Sequence, residues 1–161
     1  MVGYEHTAAF WDATTTADWR KRSRRWAGLS RAPVVVAFFC SPLLYLERYS
    51  EGDKAGSDLG LEAGVEAWPV PYWFVDAGFA AMAMLLAATD EGLGACFLGN
   101  FRGEESLKEA LGVPTGDWRY FGAVLFGEAG GPDPPSPSLQ RGKDLKMHNI
   151  YWQVWLGHST A

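Results

Sequence analysis

The stretch from Tyr72 to Thr89, YWFVDAGFAAMAMLLAAT, limits what this chain can fold into more than any other. Every residue except Asp76 and the terminal Thr89 is apolar, aromatic, alanine or glycine, so a helix here has no face that prefers water and is expected to be buried nearly all round. Pro69 and Pro71 favour an extended entry and let a helix begin just after them, Asp76 lies where the helix dipole favours a carboxylate, and Gly92 is a natural stop. Seven small residues, from Ala77 to Ala88, leave room for close backbone approach, while Phe74, Phe79, Met82, Met84, Leu85 and Leu86 supply volume. About twenty uninterrupted apolar residues are usual for crossing a bilayer. This run is shorter and carries Asp76, so it reads as a core helix, with no membrane partner expected.

A chain of 161 residues fits one domain and can bury about two-thirds of its unfolded surface. Its hydrophobic share of 48% and its eight tryptophans argue for an ordered globular protein. The formal charge of −5 and pI near 5.1 argue against nucleic acid as a partner and leave small neutral or anionic ligands open. Cys40 and Cys96 sit in apolar runs without CxxC spacing, which predicts two reduced, buried thiols. His6, His148 and His158 are too scattered for a metal site. The amino end, MVGYEHTAAFWD, lacks the basic start and apolar core of a secretory signal, so a cytoplasmic location is expected.

Along the chain, Met1 to Thr16 shows no clean period. Thr16 can cap a helix from Ala17 to about Leu29, docked through Trp19 and Trp26, with Arg20, Lys21, Arg22, Arg24 and Arg25 a cluster that could bind phosphate but is read as its solvated side. Ala32 to Phe39, APVVVAFF, reads as a strand buried on both faces. Ser41 to Ala67 reads as a long mobile loop whose Tyr45 and Tyr49 could cover a planar ligand. Gly94 to Leu98 is a short buried strand, Gly103 to Leu111 a helix stopped by Gly112 and Pro114, and Tyr120 to Gly127 another strand. Glu128 to Ser138, EAGGPDPPSPS, is an extended connector, and from about Leu139 an aromatic and basic arm packs against something large.

No GxSxG, HExxH, Walker loop or strand-following GxGxxG is present, so an enzyme of this sequence would rely on a bound cofactor. From Ala32 to the carboxy end, the order and spacing of APVVVAF, PYWFVDAGFAAMAMLLAA, EGLGACFLGNF, ESLKEALGVP, YFGAVLFGEA and SLQRGKDLKMH resemble the flavin-dependent nitroreductase family.

The resemblance implies an α+β homodimer with a central antiparallel sheet, buried helices at the dimer interface, and FMN bound between subunits. It also implies hydride passing from NAD(P)H through the flavin to a nitroaromatic, quinone or other small planar electron acceptor. Carried over onto matching positions, Leu98, Gly99 and Asn100 would present backbone to the flavin ring, and Arg141 with Lys143 would hold its phosphate. No residue is assigned as a catalytic acid or nucleophile. Trp68, Tyr72 and Trp73 could wall the substrate side, with core packing the simpler reading.

The family's Arg-x-Ser-x-Arg helix and its Pro-Ser and Asn-x-Gln-Pro-Trp segments are not found in the expected arrangement ahead of Ala32, so the chain reads as a single N-terminally shortened domain over residues 1–161. A second reading stays open: a flavin-poor or flavin-free member of the fold acting as a binding or structural dimer.

Overall fold

The structure is a computed structural model, and it describes residues 7–54, 56–99 and 102–130. Chain contacts divide it into Met1–Ala129 and Gly130–Ala161, and every element below belongs to the first unit. The connector beyond Gly130 and the carboxy-terminal arm, with Arg141 and Lys143, lie outside the described residues, as does Asn100.

Helix α1 (Thr7–Thr14) arises where no periodicity announced it. Phe10 and Trp11 are its buried anchors, and it ends where the hydroxyls of Thr14 and Thr15 donate to the carbonyls of Phe10 and Trp11, at 2.7 and 2.6 Å. Thr16 does cap the next helix, its side-chain oxygen accepting from the Trp19 N–H at 3.2 Å. The helix expected over residues 17–29 is nevertheless two: α2 (Ala17–Arg22) stops at Ser23, whose extended backbone breaks the run, and α3 (Trp26–Leu29) follows.

Three strands, β1 (Val34–Cys40), β2 (Leu93–Leu98) and β3 (Arg119–Glu128), form one antiparallel sheet in the order β1-β3-β2. The longest strand is central, with Gly122 to Leu125 buried. Val34 pairs with Phe126 and Leu93 with Glu128. The register against β1 shifts between Phe38, opposite Gly122, and Phe39, opposite Tyr120, so Phe121 is the extra residue of a bulge. The bulge resets the alternation of side chains: Tyr120 joins Ala123 and Leu125 on one face, and Phe121 turns to the other.

Each sheet face carries its own core. On the first, Phe10 and Trp11 of α1 and Leu107 of α6 (Glu104–Leu111) pack with Val35, Ala123 and Leu125. On the second, Cys40 packs with Leu46 of α4 (Pro42–Tyr49), Trp68, and Trp73 of α5 (Tyr72–Asp90). Helix α6 stops at Gly112 in the left-handed conformation (φ 63°), as its sequence predicts.

Two expectations about burial are corrected. β1 does send buried residues to both faces, Val35 to the first core and Cys40 to the second, whereas β2 is mostly exposed in the single chain, so Cys96 is exposed while Cys40 is buried. Helix α5 forms where expected and packs on all three strands. Within one chain, however, it buries only Trp73, Ala81 and Ala88, while Phe79 is 69% and Leu86 64% exposed. A sheet of three strands covers one side of a 19-residue helix, and an apolar sequence cannot create cover for the other. By length and composition alone α5 could also cross a membrane.

Ser41 to Ala67 is not the long mobile loop its sequence suggests: it opens with α4, and the remainder carries single turns at Gly52–Lys54 and Val65–Ala67 and is tied down by side chains. Arg48 grips Asp53 through both terminal nitrogens at 2.7 Å and reaches Glu51 at 3.0 Å. The guanidinium holds the Asp53 carboxyl down at about 2. Ser50 Oγ donates to the Leu46 carbonyl and accepts from the Leu61 N–H, both at 2.8 Å, and the Trp68 indole donates to the Leu59 carbonyl at 2.9 Å. Asp117 ties α4 down from outside, accepting from Ser41 Oγ at 2.5 Å and the Leu43 N–H at 2.7 Å.

Candidate functional site

The site predicted from sequence centres on the carboxy end of β2, where two of its five residues are described. Leu98 pairs with Ala123 and turns its side chain to the first core. Gly99 is exposed, and among the described residues a Cβ placed there would meet nothing within 4 Å, so no side chain crowds the backbone at the strand end. Asn100, Arg141 and Lys143 lie outside the described residues.

Alternation along β2 puts Gly99 on the same face as Phe97. The Phe97 ring lies over Gly122 of the central strand: a Cβ on Gly122 would come within 2.5 Å of its Cζ. Phe97 meets Phe121 at 5.5 Å between ring centroids, and Phe121 stacks on Phe74 of α5 at 6.0 Å. The open strand end is therefore bordered by a ledge of three phenylalanines. Sequence reading missed this ledge, although a glycine inside the strand Tyr120 to Gly127 is the signal of a close approach.

Behind Gly99 the next segment is held from two sides. Gly103 has φ 77°, and a Cβ there would fall 1.9 Å from the Ala13 carbonyl oxygen, so the end of α1 lies directly on its backbone. Glu104 accepts from the Tyr120 N–H at 3.1 Å, with Lys108 at 3.2 Å and Arg119 at 3.4 Å. Partial burial pushes its carboxyl up, but the Tyr120 N–H and the two cations outweigh that and hold it below the usual range.

Of the three rings placed at the substrate side, Trp68 and Trp73 are buried in the second core, so core packing is their role; Tyr72 is half-exposed and touches Trp68 edge-on at 6.1 Å. Tyr45 meets Trp68 at 5.8 Å and Tyr49 meets it at 4.7 Å, so the tyrosines of α4 belong to the same cluster. Among the described residues no group of three or more His, Cys, Asp and Glu could hold a metal ion.

An antiparallel sheet with helices packed on both faces gives the chain a mixed α/β fold. The sequence pattern of the Nitroreductase family matches residues 5–128, and the chain belongs to that family, whose members generally use flavin. The crystal structure of a nitroreductase family protein from Streptococcus pneumoniae TIGR4 is similar, with 20% identity and a TM-score of 0.48, over 74% of this chain and 68% of that one. No curated protein matches the chain. Of the residues that would meet a flavin ring, Leu98 and Gly99 are described, and the uncrowded backbone at Gly99 would leave room for one.

Proposed function

We propose that the chain is an FMN-dependent oxidoreductase that works as a homodimer in the cytoplasm, taking hydride from NAD(P)H and delivering it to a nitroaromatic, quinone or similar planar acceptor. Membership of the nitroreductase family supports the chemistry, and the observation that carries the reading is the open backbone at Gly99. Leu98 and Gly99, with Asn100, would line the flavin ring, and Arg141 and Lys143 would neutralise its phosphate. FMN, when bound, supplies the hydride-accepting and hydride-donating chemistry. The chain's part is to bind the ring, exclude water and fix its orientation.

The uncovered side of α5 supports the dimer. Phe79, Met82 and Leu86 recur at helical spacing on it, and the exposed Leu93 and Phe97 of β2 add to the apolar surface of the same unit. A second copy laid on this surface gives the helix the cover its sequence demands.

Purification without added flavin tests the reading. A yellow protein that releases FMN on denaturation, and whose colour is bleached by NADH or NADPH and restored by a quinone, is expected. A colourless protein that leaves FMN fluorescence unchanged on titration would replace this reading with that of a flavin-free binding or structural dimer.

A further inference from the structure

Six of the fourteen Lys and Arg residues fall between Ala17 and Arg31, at Arg20, Lys21, Arg22, Arg24, Arg25 and Arg31, against the single carboxylate of Asp18. The segment thus carries +5 in a chain of net charge −5, and the remainder carries −10. Packing accounts for its aromatic residues but not for these charges. Trp26 and Leu29 pack on the first core, and Arg20 is consumed structurally: it donates to Asp12 at 2.7 Å and to Thr15 Oγ1 at 2.8 Å, with its guanidinium 5.0 Å from the Trp26 ring centroid.

The other five cations are exposed. Among the described residues no carboxylate lies within ion-pair distance of Lys21, Arg22, Arg24 or Arg31; the Arg22 side chain donates instead to the Asp18 carbonyl at 3.3 Å. Like charges so close in sequence repel, and among the described residues no ion pair offsets the charges of Lys21, Arg22, Arg24 and Arg31. Trp19, one helical turn before Arg22, is 40% exposed, its ring meeting Trp26 edge-on at 6.1 Å.

We propose that this segment docks on a lipid bilayer bearing anionic headgroups. Four to eight clustered cations suit such a surface, each strengthening attachment by roughly fivefold. Screening limits the interaction to about 8 Å at physiological salt, so attachment depends on the charges that come closest to the bilayer. The exposed indole suits the boundary between headgroups and acyl chains, a layer that duplex nucleic acid does not offer.

The test is co-sedimentation of the full chain with vesicles of phosphatidylcholine alone or mixed with phosphatidylserine, at low and high salt, beside the variant Lys21→Glu/Arg24→Glu/Arg31→Glu. Binding to the phosphatidylserine vesicles only, lost at high salt and weakened roughly a hundredfold or more in the variant, is expected. Should the variant fail to fold by circular dichroism, the lipid and salt dependence of the natural chain decides the matter. Equal binding to both vesicle types, binding to neither, or tighter binding to duplex DNA at equal phosphate concentration would overturn the proposal. So would loss of vesicle binding on saturation with FMN, which would assign the cluster to the flavin phosphate.

Discussion

The hydroxyl of Tyr45 on α4 donates to the carboxylate of Asp76, the one charge inside α5 before its last residue. Partial burial, followed by the hydrogen bond and charge of Asp76, pushes the phenol up to about 12 from an ordinary 10. An acid whose folded-state pKa is raised contributes stability that is complete below its unfolded pKa and lost as pH climbs through the folded one. The natural chain is therefore expected to lose stability between about pH 10 and 12 more steeply than Tyr45→Phe, and the variant to be less stable at pH 7 by about 1 kcal/mol. Urea midpoints across that range check both; parallel alkaline limbs would contradict the assignment.

Glu104 behaves with the opposite sign. Its carboxyl is held below the ordinary range, so its contribution is present above the unfolded pKa and disappears as pH falls through the folded one. Glu104→Gln is expected to cost roughly 1–2 kcal/mol at pH 7, because the Tyr120 N–H and Lys108 lose a charged acceptor, and to flatten the acid limb of the stability curve. Thermal melts at neutral pH and pH 3 make the comparison.

Gly103→Ala places a methyl group against the Ala13 carbonyl oxygen and in a backbone conformation that disfavours side chains. A loss of roughly 3 kcal/mol or more is expected, with α1 and α6 separating first. Gly28→Ala, where a Cβ meets nothing within 4 Å, serves as the control and should change stability little.

Much of this architecture was legible in the sequence, and the failures have physical causes. α5, α6, β2 and β3 fell within a residue or two of expectation because prolines or glycines stand at or near their ends. α1 was hidden because adjacent Phe10 and Trp11 give no helical period in eight residues. α4 was hidden because the glycine-rich segment after it resembled a loop, and the clamps that hold that segment, from Arg48, Ser50 and Trp68, depend on contacts a linear reading cannot place. At the candidate site, Gly99 was named from the resemblance, while the Phe97 ring over Gly122 emerged only with strand register. Burial of α5 was overstated because its composition reports what the helix needs, not what one chain supplies.

That distinction yields a further expectation. Phe79→Ser with Leu86→Ser leaves the single chain nearly as stable, within about 0.5 kcal/mol, because both side chains are exposed in it. The assembly should lose on the order of 2 kcal/mol for each buried side chain. Light scattering over a dilution series would show the variant dissociating at concentrations where the natural protein stays paired.

The most direct test of the central claim is sedimentation velocity of the full chain with FMN, followed at the protein and flavin absorption bands together. One boundary at twice the 17.7 kDa chain mass, carrying flavin, is the predicted result. A 17.7 kDa boundary with the flavin left behind in solution would contradict it.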